Sequence, residues 1–372
     1  MKNSLEPNLN PTPIFDMATG FWISKTLMSA VELEVFTKLS GKSLAMHEIQ
    51  KMLELPKRQT ESFIAALISL GLLTWTKYDT KGKLLLFMNS ILADTFLVRG
   101  KSSYVGDFIT MYDKRLYKRW DELLLALKAK DPVTGTLDEL YSQDLMRKKE
   151  GMQEHQTKVV RQRELDMFIH AMYGEKIWDA LALCEVYDFS KHKKMIDLGG
   201  GPAVFPIQIV RNFSNISALV IDTEPVCKIA NDYIRRFNLQ DRISTKVLDF
   251  IEEDLPKGYD VIFMSHIIVG MSKEKNISLL RKAYNSLPER ENGTIMINEW
   301  LLNNDKTGPT LPALMGLNMI LETSEGRSYS FAEIYEMLTE AGFAGIEKKP
   351  ISGSAGHIIL GYKRTIDHKV SM

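Results

Sequence analysis

Cysteine is scarce in this chain: Cys184 and Cys227 are the only two among 372 residues. Two thiols cannot form a disulfide framework, and these lie too far apart in sequence for a metal knuckle. A reducing compartment is the expectation. Neither charge is in surplus, with 47 Lys and Arg against 47 Asp and Glu. A protein held to nucleic acid by phosphate contacts would carry a basic excess, so neutrality opposes that class while leaving room for a local patch. No unbroken apolar run reaches about 18 residues. The opening MKNSLEPNLNPTPIFD also lacks the apolar core of a signal segment. A cytoplasmic protein with no membrane or nucleic-acid partner is expected. No internal repeat or low-complexity tract is present.

The pattern that is present divides the chain. Residues 1–15 are polar and proline-bearing and read as an arm. Residues 16–103 read as a small domain. Trp22, Leu27, Val31, Leu33 and Phe36 recur at helical steps before Gly41, and Phe63, Ile64, Leu67 and Leu70 do so before Gly71. Two β-rich pieces then flank Asp79–Gly82, which has turn chemistry. Three helices and a hairpin outline a winged helix. The third helix turns apolar (FIAALISLGLL) where a DNA reader would need base-contacting side chains, so packing and dimerisation are its expected role. Residues 104–185 read as two long helices, over Tyr104–Ala129 and Met146–Leu183, broken near Pro132–Leu140 and walling a cleft. From 186 to 363 short apolar runs alternate with helical stretches, the signature of a mostly parallel sheet covered on both faces. Residues 364–372 read as a polar tail. The fold class is α/β, a Rossmann-like domain after an α-helical one.

The sharpest local signal is Met195-Ile-Asp-Leu-Gly-Gly-Gly-Pro-Ala-Val204. A strand ends near Asp197, and Gly199, Gly200 and Gly201 allow a tight turn and close approach of a ligand to the backbone. Asp222, at the end of the next strand, can accept both hydroxyls of a ribose. A dinucleotide fingerprint needs a third glycine where Val204 stands. A nucleoside without phosphates removes that need, and S-adenosylmethionine (SAM) is such a ligand. Asp249 and Phe250, after the third strand, are then expected at the adenine amino group and ring face, and Ser265 at the end of the fourth strand near the same ligand. No residues have metal-site spacing, and no metal is expected.

These residues resemble the class I SAM-dependent methyltransferases of the caffeate and acetylserotonin O-methyltransferase type. The resemblance runs from about residue 11 to 363. Gly20-Phe-Trp-Ile-Ser-Lys25 is similar to that family's dimerisation helix, Phe168-Ile-His-Ala-Met172 to its F-x-x-x-M element beside the donor, and Asp197–Gly201 to its D-x-G-G-G motif. Leu317–Glu322 and Glu340–Phe343 match later segments. The resemblance implies a homodimeric winged-helix plus Rossmann-like enzyme with Phe168 and Met172 near SAM. It also implies that Arg115, Arg161, Arg163, Arg327 and Met319 wall the acceptor cleft.

One part of the pattern is broken. O-methylating members carry H-D-W after the fourth strand, its histidine being the general base. Here Val269, Gly270 and Met271 fall on those positions. Glu299 matches the first orienting carboxylate, and the second falls on Ser328. A base contributes about 10²–10⁴-fold when the nucleophile must lose a proton, whereas in-line transfer to a thioether sulfur rests on alignment. The favoured expectation is therefore a small-molecule methyltransferase without that base, acting on a thioether, amine, carbon or acidic oxygen. A base-free site is similar in chemistry to the methylthio-hydroxybutyrate S-methyltransferases of the dimethylsulfoniopropionate pathway, which would require an Arg to grip a carboxylate. The alternative is O-methylation of a phenol or hydroxyindole with His266 or His170 as surrogate base and Tyr112 as a hydrogen-bonding partner. The reach of His266 depends on where the fourth strand stops. A third reading is an idle SAM-binding scaffold.

Overall fold

A computed structural model describes residues 10–77, 85–130, 137, 154–289 and 293–363. The chain divides into two compact units, Met1–Leu116 and Tyr117–Met372. The expected turn at 79–82, the break at 132–140 and the tail at 364–372 lie largely or wholly outside the described residues.

In the first unit α1 (Thr12–Glu32) begins ahead of the expected Asp16. Proline suits the first helical turn because its missing N–H would have no partner there, so Pro13 starts the helix instead of extending an arm. Glu34, at φ +55°, separates α1 from α2 (Val35–Leu39). α3 (Met46–Leu53) and α4 (Lys57–Ser69) follow. Gly71, at φ +69°, closes α4 and donates its N–H to Ile68 O at 2.9 Å. β1 (Leu44–Ala45), β2 (Leu73–Lys77) and β3 (Leu85–Asn89) form a sheet in the order β1-β3-β2. Phe36, Leu39, Ile49, Ile64 and Leu67 fill the core beneath it. α5 (Ile91–Phe96), α6 (Gly106–Met111) and a π-helical turn, Tyr112–Leu116, complete the unit.

The continuous helix expected over Tyr104–Ala129 is not formed. The π turn slips the helical register, and only α7 (Tyr117–Trp120) and α8 (Leu123–Lys128) follow in the second unit. The second expected helix is present as α9 (Glu154–Val186).

The Rossmann-like part alternates strand and helix: β4 (Lys194–Leu198), α10 (Val204–Asn212), β5 (Ser217–Asp222), α11 (Glu224–Arg236), β6 (Ile243–Val247) and β7 (Val261–Ser265). Next come α12 (Lys273–Ser286), β8 (Thr294–Trp300), α13 (Thr310–Glu322), α14 (Phe331–Glu340), β9 (Ala344–Pro350) and β10 (Gly356–Tyr362). The seven strands lie in the order β6-β5-β4-β7-β8-β10-β9, parallel from β6 to β8 and antiparallel from β8 through β10 to β9. β9 was not among the expected strands. Its sequence, AGIEKKP, is half charged and only partly buried, as suits an edge strand, and so lacks the apolar run that marks the others.

β4 and β7 are neighbours although β5 and β6 intervene in sequence, so the chain reverses its winding between them. Crevices at such a switch point, at the carboxyl ends of the strands, are where open α/β sheets bind ligands. One face of the sheet buries Ile196, Ile262, Met264, Ile297 and Ile359, and the other buries Met195, Phe263, Met296 and Ile358. Arg242 anchors the β5 side by donating to the carbonyls of Val210 (2.8 Å), Phe213 (2.6 Å) and Ile216 (2.6 Å). Arg242→Ala leaves three carbonyls without their donor and is expected to destabilise the second unit by about 3 kcal/mol. Urea unfolding should show it as a lower midpoint with unchanged slope.

Candidate functional site

At the switch point three turns meet. Gly199 (φ +63°) and Gly201 (φ +53°) adopt left-handed conformations open to glycine at little strain. A Cβ on Gly199 would lie 2.3 Å from Ile267 Cδ1 and 3.7 Å from Phe250 Cζ, so the loops after β6 and β7 close on this turn. A Cβ on Gly200 would lie 2.5 Å from Asp197 Oδ2. At Gly201 nothing lies within 4 Å, leaving open space beside the backbone.

Two carboxylates sit beneath. Asp222 accepts from the N–H of Gly201 (3.0 Å) and of Thr223 (2.8 Å). Burial pushes its carboxyl up to about 6 despite those two bonds, which act to lower it. Asp197 is held well above the usual carboxylate range by burial first and by the Asp222 charge second. Its Oδ2 is buried without a hydrogen-bond partner. The open space at Gly201 and this unsatisfied oxygen fit a ligand lying against the turn.

At the ends of β7 and β8 stands a histidine–carboxylate pair. β7 stops at Ser265, and His266 takes φ +54°, a conformation uncommon outside glycine. That turn brings its Nδ1 to 2.9 Å from Glu299 Oε1. Glu299 is 1% exposed, and Oε1 also accepts the Trp300 N–H at 3.1 Å. Glu299 Oε2 and His266 Nε2 are buried without hydrogen-bond partners. Ser265 Oγ accepts from Asn298 Nδ2 at 3.0 Å.

Val269 is in a different setting. It lies in the short 3₁₀ turn Ile268–Gly270 and is 5% exposed. Its carbonyl accepts the Arg327 N–H at 2.8 Å, and buried Asn276 holds the turn through Ile268 O at 2.9 Å. Ser328, expected at the second orienting position, donates to Pro312 O at 2.6 Å.

Asp197, Gly199, Gly200, Gly201, Asp222, Phe250, Ser265, His266 and Glu299 are therefore gathered at one edge of the sheet. Asp249 is exposed and occupied locally, its Oδ1 accepting the N–H of Ile251 at 2.9 Å. Phe168 packs on Leu165, Ile169, Val226 and Ile229, and Met172 is half-buried on the same helix. His170 is not brought to the pair: it is exposed, with Nδ1 2.9 Å from Tyr233 OH. Tyr112 and Arg115 belong to the first unit, where Tyr112 lies 4.4 Å from Phe108, centroid to centroid. The Arg161 side chain lies outside the described residues. Arg163 and Arg327 are exposed, Arg327 lying over the Tyr329 ring at 5.1 Å, and Met319 is buried. Burial pushes both cysteine thiols up to about 11, so neither is a ready nucleophile. His192, which its polar neighbours mark as a surface residue, is instead buried, 2.7 Å from Tyr187 OH. Among the described residues no helix is long and apolar enough to cross a membrane, and no cluster of three or more His, Cys, Asp or Glu could hold a metal.

A family model for the O-methyltransferase domain matches residues 130–344, and one for the O-methyltransferase dimerisation domain matches residues 15–99. The chain belongs to the O-methyltransferase family. Its methyl donor is SAM. The chain is 28% identical over 363 residues to 3-hydroxy-5-methyl-1-naphthoate 3-O-methyltransferase of Streptomyces sahachiroi, covering 95% of each. It is 36% identical over 170 residues to L-tyrosine C(3)-methyltransferase of Streptomyces lavendulae, covering 45% of this chain and 46% of that one. Human N-acetylserotonin methyltransferase in complex with SAM superposes with a TM-score of 0.81 over 98% of this chain and 100% of that one, at 22% identity. That likeness shows the shared fold. Sequence reasoning missed Ile267, Trp300 and Lys176, whose neighbours only the fold supplies.

The raised Asp222 carboxyl has a consequence for stability. The folded state binds that proton more tightly than the unfolded chain does. The contribution is fully present below about pH 4 and is lost as pH rises through about 6, amounting to about 3 kcal/mol. In urea titrations of ligand-free protein from pH 4 to 8, the stability of Asp222→Asn relative to wild type should rise by about that amount. A pH-independent difference would show that Asp222 does not titrate in this range.

Proposed function

We propose that this methyltransferase acts on a small hydroxylated aromatic molecule, using His266 and Glu299 in place of the base missing at Val269. The observation that carries this reading is the 2.9 Å contact between His266 Nδ1 and Glu299 Oε1. A proton on Nδ1 directed at the carboxylate leaves Nε2 as the bare, basic nitrogen. Glu299 then holds the ring and stabilises the imidazolium that forms when Nε2 takes the acceptor's hydroxyl proton. The pair of histidine and carboxylate familiar in the family is thereby rebuilt three residues earlier in the chain.

The two relatives support one acceptor chemistry. A hydroxynaphthoate oxygen and the C3 carbon of tyrosine are both activated by loss of a phenolic proton, since C3 is adjacent to the ring carbon that bears the hydroxyl. Deprotonation thus serves O- and C-methylation alike. When bound, SAM supplies an electrophilic methyl group on a sulfonium whose thioether is the leaving group. The chain's part is to hold that donor and to take the proton. Gly199, Gly200 and Gly201 give backbone access, Asp222 accepts the ribose hydroxyls, Asp197 lies beneath the turn, and Phe250 offers a ring face. Phe168, Met172 and Ser265 border the same space. Met319 and the arginines remain candidates for the acceptor side. Asp249, occupied by its own turn, would have to exchange those bonds to reach an adenine.

A second reading is favoured by Val269 itself. With hydrocarbon at the family's base position, transfer to a thioether sulfur (as in a methylthio-hydroxy acid), an amine or an acidic oxygen needs no proton acceptor. A homodimer is also proposed. α1 leaves Phe15, Met17, Phe21, Trp22 and Ile23 exposed within the region matched by the dimerisation-domain model, and such a run of exposed apolar side chains marks an interface.

The discriminating experiment offers SAM with a panel of hydroxynaphthoates, tyrosine, hydroxyindoles, amines and methylthio-hydroxy acids, and identifies each methylated product by mass. Methylation of the phenols, reduced about 10²–10⁴-fold by His266→Gln, is expected. Transfer confined to thioethers or amines and unaffected by that substitution would replace this reading with the base-free one. Donor binding is tested separately. Gly201→Ala puts a methyl group into the open space at the turn at a backbone cost of about 1–2 kcal/mol for the left-handed conformation, so the protein should fold with slightly lower stability while S-adenosylhomocysteine (SAH) affinity falls roughly tenfold or more by calorimetry. Unchanged affinity would move the donor away from Gly201.

A further inference from the structure

His266 holds a left-handed backbone conformation that is uncommon for a residue with a side chain and is kept by restraints around it. Glu299 supplies one restraint, and the His266 N–H, bonded to Asn298 O at 3.0 Å, supplies a second. The third is aromatic. The Trp300 ring lies 4.9 Å from the His266 ring, centroid to centroid, with the planes at 76°. An edge-to-face contact of this kind fixes orientation as well as distance.

Trp300 is restrained in turn from α9. Lys176 is buried, an unusual place for an ammonium unless it is paired. Its Nζ lies 4.8 Å from the centre of the Trp300 ring and 3.0 Å from Glu175 Oε1. One side of the cation faces a carboxylate and the other an indole face, where the ring's negative potential holds it. The charged groups gathered around His266 are thus Glu299 on β8 and, across Trp300, Lys176 with Glu175 on α9.

We propose that Trp300 and Lys176 are positioning residues for His266: Lys176 holds the indole, and the indole holds the imidazole ring against Glu299. The proposal rests on His266 being the proton acceptor. It assigns a role in the reaction to two residues outside the glycine turn and the family's base position. The column Glu175–Lys176–Trp300–His266–Glu299 also connects α9, the helix carrying Phe168 and Met172, to the proton-accepting ring.

The test needs no acceptor molecule. Nitrogen-15 NMR of histidine-labelled protein at pH 8, with SAH bound, reports which ring nitrogen of His266 carries the proton. Wild type should show one fixed tautomer, protonated at Nδ1, with a low-field proton resonance from the bond to Glu299. Lys176→Met and Trp300→Leu should each lose that resonance and give mixed tautomers. Lys176→Arg and Trp300→Phe, which keep the cation and the ring, should retain it. Two positioning variants on different elements keep the test alive if one fails to fold, and SAH affinity reports folding. A fixed Nδ1 tautomer persisting in both Lys176→Met and Trp300→Leu would overturn the proposal. Glu299→Gln is the control for the reading beneath it. If that variant leaves the His266 signals unchanged, the His266–Glu299 pair itself falls, and the positioning role with it.

Discussion

A sheet buried on both faces has no room for an ionised group along its strands. On the inner strands charges can sit only at or near the strand ends. That constraint arranges the candidate site. Asp197, Asp222 and Glu299 stand at or near the carboxyl ends of β4, β5 and β8, with His266 just past β7. The rows below are hydrocarbon, Ile196, Met264, Ile297 and Ile359 on one face. The cost of burying carboxylates is met by backbone N–H groups at Asp222, from Gly201 and Thr223, and at Glu299 by the Trp300 N–H together with the His266 ring. Where it is not fully met, at Asp197 Oδ2 and Glu299 Oε2, unsatisfied acceptors remain at the ligand edge.

The same edge gives the proposed base a place although position 269 carries valine. The turn Ile268–Gly270 is pinned by Asn276, by Arg327 and by Tyr329, whose hydroxyl donates to Met271 O at 2.6 Å. A small apolar residue fits inside that turn without an unsatisfied polar group. The orienting carboxylate, however, is fixed by β8 and stays in place whatever occupies position 269. His266 needs only to leave the strand one residue earlier than a regular extension would, and a left-handed backbone does that. A residue belonging to the strand end is thereby turned toward Glu299.

Much of this was legible in the order of residues. The glycine turn, Asp222 and the parallel strands could be placed because apolar runs and glycines at strand ends have few alternative uses. β9 was not legible, since an edge strand carries charges and has no apolar run to read. Nor was the start of α1, where prolines that suggested an arm open a helix instead. His192 shows the limit from the other direction: its lysine neighbours mark it as exposed, yet a packed Tyr187 ring buries it. Asp249 was expected at an adenine, and the structure shows its carboxylate engaged by the N–H groups of its own turn.

The sequence by itself determined the fold class, the family, the glycine turn after β4 and the valine at position 269, where the resemblance leads to an expected histidine. These follow from local pattern, which needs no knowledge of distant neighbours. Only the tertiary structure decided that His266 pairs with Glu299, that His170 is engaged by Tyr233 instead, and that Lys176 and Trp300 stand behind the pair. Each of those depends on side chains far apart in the chain meeting across a sheet edge. One backbone angle, φ at residue 266, chooses the face to which the imidazole turns, and no spacing in the sequence records that angle.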